Sequence, residues 1–311
     1  MNTLISTKFK HSLRFTLLLL FFGTTGILAQ QNATSSKSHA DTEGWVEYLE
    51  GNMPLVISVP HGGRIVVDSL AIRDCKGAVT VTDVNTIELA MAIKNYLEKT
   101  YRLSPHLIIS HLSRKHLDQN RELDNGASCG DKRVEKAWYR FHNWVDTALK
   151  MASQNGQRAM YIDLHGHGHK NQRLEIGYNM SREQLEQLWN NALDIKNSKN
   201  SLQNLLKLEN QLELKDLVFG EHAFGTVLVK QGLAATPSAL DLVPQKGEPF
   251  FSGGDNTRRF TSRNYPNVFG LQIECDKTTR SKEKRPTAAK AIAEASVHYL
   301  NRFAKTAINA K

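Results

Sequence analysis

Three histidines alternate with two glycines in the segment DLHGHGHK (163–170), which follows the apolar run AMYI. Imidazole nitrogens are common metal ligands, and a catalytic zinc site takes three protein ligands from His, Asp or Glu. Glycine often marks a turn, so the three side chains are not expected to continue along one side of a strand. The segment predicts one metal ligand, His165, with His167 as a helper that contacts the ligand or substrate and His169 on the surface.

Other polar residues also lie at the ends of apolar segments. His61 follows PLVISVP, Arg114 follows LIISHLS and Glu274 lies within FGLQIEC. In open α/β sheets, ligands bind in the crevice at the carboxyl ends of the strands. We therefore expect these residues to share one crevice with His165.

A carboxylate is expected to join the two histidines as the third metal ligand. Asp83 is the first candidate because it follows the His61 loop at a predicted helix start. Glu88, just over one helical turn further on, is the alternative. Asp163 is predicted to lie buried beneath the site and to orient a ligand.

The glutamate in the apolar strand FGLQIEC is either paired with a buried cation or poised as a base. Burial raises the pKa of a carboxyl group, and a base with a pKa near the working pH suits the activation of a metal-bound water. Glu274 is therefore the candidate general base.

A polar cluster lies in the segment SRKHLDQNREL, which places Arg114, Asp118, Asn120 and Arg121 within eight residues. The planar fork of arginine suits carboxylate recognition, and aspartate or asparagine can hold it in place. The segment predicts substrate contacts, with a charged helix surface as the alternative interpretation.

The elements that position these residues alternate between strand and helix. Strands are predicted in PLVISVPHGG, PHLIISHLSR and AMYIDLHGHGH, and the intervening segments VTDVNTIELAMAIKNYLEKTY and VEKAWYRFHNWVDTALKMASQ show helical spacing. This order predicts an α/β fold with a largely parallel central sheet.

Basic residues precede an apolar run at the start of the chain, which is typical of a secretory signal. We predict a signal peptide over residues 1–29, a flexible leader over 30–46 and one catalytic domain over 47–308. A helical insertion over about 181–216 is expected to be a surface insertion or lid, or else a peripheral helical pair. The product is expected to be exported to the periplasm or beyond, without stable membrane insertion.

Charge and cysteine content exclude several classes of protein. The formal charge of +9 falls to +6 when the three basic residues of the signal are removed, and no dense basic stripe remains for nucleic acid. Three dispersed cysteines allow at most one disulfide within the chain and argue against a thiolate zinc site.

Four segments together resemble the N-formylglutamate amidohydrolase family: VPHGG, TD, SRKHLDQNR and DLHGH. The resemblance runs from about Pro54 to Arg280. It implies a three-layer α/β fold, with a mixed, mostly parallel central sheet flanked by helices, like that of zinc carboxypeptidases. The late segment FFSGGDNTRRF resembles a substrate-side loop, and LQIEC resembles a catalytic glutamate region.

The resemblance implies a zinc-dependent hydrolase that cleaves an amide bond of an N-acyl amino acid, γ-glutamyl or peptide substrate. One Zn²⁺ would be held by His61, Asp83 and His165. Glu274 and Arg114 would be catalytic, while the substrate would be bound by Arg121, Asn120, Asp118, His167, Arg258 and Arg280.

Two other functions stay open at this point. One is a noncatalytic module of the same fold that binds acidic ligands, and the other is a metal-dependent phosphoesterase. The expected partner is a small acidic acyl amino acid or peptide substrate. Export favours a peptide, cell-wall fragment or poly-γ-glutamate over the product of a cytoplasmic pathway.

Overall fold

A computed structural model of the chain describes residues 37–75, 77–127 and 131–311. The predicted signal peptide lies outside the described residues. Eight strands form one sheet in the order β1-β2-β4-β3-β5-β8-β6-β7. In chain order they are β1 (Ser38–Ala40), β2 (Val46–Leu49), β3 (Leu55–Val59), β4 (His106–Ser110), β5 (Ala159–Gly166), β6 (Leu174–Gly177), β7 (Ala235–Thr236) and β8 (Val268–Cys275).

The four central strands, β4, β3, β5 and β8, run parallel to one another. β2 is antiparallel to β4 and β6 is antiparallel to β8. The central strands are buried along nearly their whole length, as expected for parallel strands covered by helices on both faces. The predicted α/β class with a mixed, mostly parallel sheet is confirmed.

Nine helices flank or connect these strands in the described part of the chain. They are α1 (Thr86–Tyr101), α2 (Leu123–Gly126), α3 (Lys132–Ala152), α4 (Arg182–Trp189), α5 (Gln203–Leu208), α6 (Leu214–Phe219), α7 (Phe224–Lys230), α8 (Asp255–Phe260) and α9 (Arg285–Phe303). Among the described residues, no helix combines the length and apolar character needed to cross a bilayer.

Helices cover both faces of the sheet because side chains alternate along each strand. Leu55 and Ile57 of β3 join a core cluster with α1 and α9 residues such as Ile93 and Ile292. Val56, between them, joins a second cluster with Phe141 of α3. The result is three layers, with the sheet in the middle.

The predicted flexible leader contains part of the sheet. Residues 38–40 form the edge strand β1, which pairs with β2, and β2 itself begins at Val46. Polar composition suggested a segment without structure, but an edge strand with an exposed burial pattern can be polar on both faces.

The segment predicted as a helical insertion over about 181–216 contains more helices than the predicted pair. It consists of three short helices, α4 to α6, and leucines such as Leu185, Leu205 and Leu217 are buried in the main core. The segment is therefore a core-forming connection between β6 and β7, since its leucines cover the sheet face on this side.

Candidate metal centre and catalytic cavity

Two neighbouring parallel strands bring His61 and His165 to the same edge of the sheet. Ser58 of β3 pairs with Asp163 of β5, so His61, just after β3, lies beside His165 near the end of β5. Their Nδ1 atoms are 3.1 Å apart and both side chains are buried. The carboxyl end of the sheet thus presents two imidazoles, as the strand pattern predicted.

Asp83 completes this group from the loop before α1. Its backbone N–H donates to the carbonyl of His61 at 3.0 Å, which fixes the loop against β3. Its Oδ2 atom lies 3.6 Å from Nδ1 of His61 and 3.4 Å from Nδ1 of His165. Glu88 lies elsewhere, with its carboxylate 3.1 Å from Arg64 at the surface. The structure therefore places Asp83, and not Glu88, beside the two histidines.

A buried aspartate orients each imidazole through its far nitrogen. Nε2 of His61 lies 2.6 Å from Oδ1 of Asp118, and Nε2 of His165 lies 2.9 Å from Oδ2 of Asp163. A carboxylate accepts, so each Nε2 carries the hydrogen and each neutral ring keeps its lone pair on Nδ1. This pattern of carboxylate and histidine is typical of metal sites.

Three hydrogen-bond acceptors therefore converge on one point. Two Nδ1 lone pairs and the Oδ2 atom of Asp83 face each other, an arrangement that is repulsive unless a cation or a proton lies between them. Although burial alone lowers the pKa of His165, the Asp163 and Asp83 carboxylates raise it well above its usual value. The same negative potential would attract a metal cation.

The charges around the two imidazoles also favour a divalent cation. Four buried acidic side chains lie here, with two arginines close to them: Asp83, Asp118, Asp163 and Glu274 with Arg73 and Arg114. With neutral histidines, ionised aspartates and a protonated Glu274, the group carries an excess of one negative charge, and ionisation of Glu274 raises the excess to two. The donor set of two nitrogens and one oxygen therefore fits a metal ion in both type and charge.

Asp118 stays ionised because its neighbours are cationic or donate hydrogen bonds. Burial by itself raises the pKa of this carboxyl group, but the His61 ring and the Arg114 and Arg73 guanidiniums outweigh burial and hold the pKa well below its usual range. Nε of Arg114 donates to Oδ2 of Asp118 at 3.0 Å. Asp118 was predicted to bind substrate, and in the structure its carboxylate contacts His61 and Arg114.

Glu274 lies beside the imidazoles on the next strand. It is opposite His165 in the register of β5 and β8, and its Oε1 atom accepts a hydrogen bond of 2.9 Å from Gln272. Burial raises the pKa of Glu274 to about 8, with the nearby Asp83 adding to the shift and His165 opposing it. Such a carboxyl group can accept and return a proton near neutral pH.

A cavity of about 180 Å³ opens in front of these groups. Its wall contains His61, Asp83, His165 and Glu274 together with three of the predicted polar residues, Arg114, Asn120 and Arg121. Arg114 is also 3.8 Å from Oδ1 of Asp83, so it spans two carboxylates at the cavity wall. Arg121 lies further out, at the rim, with its side chain 41% exposed.

Asn120 links the cavity to the loop that follows residue 250. Its side-chain oxygen accepts a hydrogen bond of 2.8 Å from the backbone N–H of Asn256, and its Nδ2 atom lies 3.3 Å from Nε2 of His165. Gly254 packs against this amide so closely that a Cβ atom would meet it at 2.3 Å. Asn120 thus holds the loop as well as forming part of the cavity wall.

Two predicted substrate-binding arginines have other roles. Arg258 pairs with Asp255 and lines a separate hollow, outside the wall of the candidate cavity. Arg280 is buried and donates to backbone carbonyls of Val84, His167 and Cys275. These carbonyls follow Asp83, His165 and Glu274 in the chain, so Arg280 ties together the three segments that form the site.

The other two histidines of the opening segment do not line the cavity. His167 donates from Nε2 to the carbonyl of Arg173 at 2.8 Å and accepts from the backbone N–H of His169 at Nδ1, which leaves it no free nitrogen for substrate. His169 contacts the buried carboxylate of Glu175 at 2.7 Å and is only partly exposed. Each ring therefore holds protein segments together.

Sequence reasoning missed Arg73 and Gln272. Gln272 lies two residues before Glu274 on β8, so the alternation of side chains along a strand could have identified it. Arg73 approaches Asp118 at 3.7 Å from an irregular loop, and no periodic pattern marks it.

Comparison with known proteins gives matches only at the level of solved structures. No protein-family model and no curated protein matches the chain. An N-formylglutamate amidohydrolase from Ralstonia eutropha JMP134 is 12% identical, with 84% of this chain and 98% of that chain covered at a TM-score of 0.51.

Two further structures match with lower scores. A gene product of Agrobacterium tumefaciens covers 82% of this chain and 94% of its own at 12% identity and a TM-score of 0.47. A succinylglutamate desuccinylase from Chromobacterium violaceum is also 12% identical, with coverages of 89% and 73% and a TM-score of 0.38. The match at a TM-score of 0.51 shows that the chain has a fold similar to that of the N-formylglutamate amidohydrolase, in agreement with the resemblance of its motifs.

Proposed function

We propose that the protein is an exported, zinc-dependent amidohydrolase that cleaves an amide bond of an N-acyl amino acid, γ-glutamyl or peptide substrate. The observation that carries the proposal is the convergence of His61, Asp83 and His165 beside Glu274 in one cavity. Export rests on the features of residues 1–29, and the hydrolase fold supports the reaction class.

The spacing of the donor atoms supports zinc. Tetrahedral zinc with bonds of about 2.0–2.1 Å needs donors about 3.3–3.4 Å apart. The three donor pairs are separated by 3.1, 3.4 and 3.6 Å. Bound zinc would supply a Lewis acid that polarises the scissile carbonyl and makes water acidic enough to react near neutral pH.

Glu274 is the residue that moves the proton. Its carboxylate accepts a proton from the attacking water as the new C–O bond forms. It then returns that proton to the nitrogen as the C–N bond breaks, so the glutamate ends in its initial state. A pKa near 8 suits both directions of transfer.

Arg114 and Arg121 give the cavity its preference for anionic groups. Arg114 is held by Asp118 and borders the cavity, where it can stabilise negative charge that develops on the carbonyl oxygen. Arg121 at the rim can pair with a substrate carboxylate.

The test measures zinc content and turnover on the same purified protein. After metal removal and reconstitution, we expect about one equivalent of zinc, and less than about a tenth of an equivalent in His165→Ala. Turnover is screened on N-acyl amino acids, γ-glutamyl peptides and muropeptides. Glu274→Gln should lower kcat by about 10²–10⁴-fold with zinc retained.

Other outcomes identify the alternatives. Hydrolysis of phosphate esters without hydrolysis of amides would establish a phosphoesterase. Tight binding of acidic ligands without turnover, unchanged in Glu274→Gln, would establish a binding module. Wild-type protein that binds no zinc after reconstitution would overturn the metal-dependent mechanism.

A further inference from the structure

Two apolar side chains border the cavity, although most of its wall is polar or charged. Phe251 and Val79 both border the cavity and are 42% and 43% exposed. An exposed apolar residue on its own is common, but apolar groups in the wall of a ligand cavity usually contact the ligand. The rest of the molecule fixes the position of Phe251, through its backbone and through its ring.

The backbone of Phe251 is held by a buried carboxylate. Its N–H donates to Oε2 of Glu175 at 2.8 Å, and the other oxygen of Glu175 accepts from Nδ1 of His169 at 2.7 Å. Glu175 is only 1% exposed. Burial of a carboxylate is costly unless both oxygens are satisfied, and here those oxygens are used to hold one loop residue and one histidine.

The ring of Phe251 is held as well. The His169 ring stacks on it, with centroids 4.7 Å apart and an angle of 13° between the planes. Neighbouring loop residues are fixed in the same way, since Glu248 pairs with Arg173 at 2.9 Å and the carbonyl of Ser252 accepts from the backbone of Asn179 at 2.6 Å. Backbone and ring of Phe251 are therefore both positioned, and its remaining surface borders the cavity.

We infer that Phe251 is a specificity-determining residue, held by His169 and Glu175, and that it selects amide substrates with an apolar or aromatic group next to the scissile bond. This inference rests on the proposed amidohydrolase function and names the class of substrate for it. His169 acts as a positioning residue, because it contacts Phe251 and does not border the cavity.

The test uses two matched pairs of substrates. N-benzoyl-glutamate is compared with N-acetyl-glutamate, and N-acetyl-phenylalanine with N-acetyl-alanine. In at least one pair the wild type should favour the aromatic member about tenfold in kcat/KM, as expected for a partly exposed apolar contact. Phe251→Ala should abolish that preference, and Phe251→Tyr should retain it.

Two further variants distinguish the loss of Phe251 positioning from a nonspecific effect of removing a side chain. His169→Ala should lower the aromatic preference part of the way, since the stacking and the Glu175 hydrogen bond are lost together. Leu240→Ala removes another exposed apolar side chain, 81% exposed and outside the cavity wall, and should leave the ratio unchanged.

Binding measurements test the role of Phe251 independently of turnover, and therefore independently of the proposed reaction. Calorimetry with the same four compounds should show an affinity of wild-type protein about tenfold higher for the aromatic member of one pair, and Phe251→Ala should remove the difference. Equal affinities within both pairs would overturn the inference even if amides are hydrolysed. An aromatic preference without any turnover would support Phe251 as the selecting residue and contradict only the proposed reaction.

Discussion

His61 and Asp118 are joined by a contact of 2.6 Å between Nε2 and Oδ1, and both side chains are almost completely buried. The carboxylate fixes the hydrogen of His61 on Nε2 and turns the Nδ1 lone pair toward Asp83 and His165. A residue outside the candidate ligand set therefore decides which atom of His61 is available to a metal.

Asp118→Asn should weaken zinc binding by about 10–100-fold, which is the usual effect of removing such an orienting carboxylate. The amide keeps the size of the side chain but loses the charge that holds the His61 ring and Arg114. Competition with a chelator measures the affinity. Asp255→Asn is the matched control, because Asp255 pairs with Arg258 and is not next to His61. Equal zinc affinities in Asp118→Asn and wild type would contradict the role of Asp118.

Asp83→Asn and Glu88→Gln should differ sharply in zinc content. Asp83 places Oδ2 within 3.6 Å of both histidine Nδ1 atoms, whereas Glu88 pairs with Arg64 at the surface. We expect Asp83→Asn to lose most of its zinc and Glu88→Gln to retain about one equivalent. Metal analysis after gel filtration checks this. Loss of zinc in Glu88→Gln, with zinc retained in Asp83→Asn, would identify Glu88 as the ligand in place of Asp83.

Gly166→Ala should destabilise the protein, while Gly168→Ala should not. A Cβ atom at position 166 would lie 2.3 Å from Cζ of Arg280, and one at position 168 would make an ordinary contact of 3.6 Å with Lys277. Displacing Arg280 releases its backbone contacts, so we expect Gly166→Ala to lower the free energy of unfolding by about 1–3 kcal/mol. Urea unfolding measures both variants, and equal losses would show that Arg280 adapts without cost.

Stability should fall as the pH is lowered from 6.5 toward 4. Burial lowers the pKa of His142 and of His106 to about 4. Above pH 6.5 both histidines are neutral in the folded and unfolded states, so their contribution is fully present. Below 6.5 only the unfolded state takes up the protons, and each histidine costs about 1–2 kcal/mol by pH 5.

Urea unfolding at several pH values measures this slope. His142→Phe removes one of the two groups and should reduce the slope by up to about one proton. A free energy of unfolding that stays constant between pH 6.5 and 5 would show that these rings are protonated in the folded protein.

The sequence predicted those residues of the candidate site whose positions follow from the pattern of apolar strands. His61, His165 and Glu274 each end or follow an apolar run, and the carboxyl ends of parallel strands meet at one edge of the sheet. Asp163 follows from the same logic, because it lies two residues before His165 on the same strand face.

The contacts of the other candidate residues depend on the path of loops, which the periodic pattern of apolar residues does not predict. An arginine in the sequence can bind a carboxylate or, like Arg280, donate to backbone carbonyls, and only the path of three loops decides between them. For the same reason the contacts of His167 and His169 could not be predicted from the spacing of the histidines. His165 faces the candidate metal, whereas His167 and His169 hold Arg173 and Glu175 on a neighbouring segment.

β8 is the last strand of the sheet in chain order, yet it lies between β5 and β6. A ribosome must therefore synthesise the chain past Glu274 before β5 can obtain its second neighbour. Until then β5 has an open edge, and His165 lacks the strand that carries Glu274, the candidate base. The order of synthesis thus delays the assembly of the candidate site until β8 has been made.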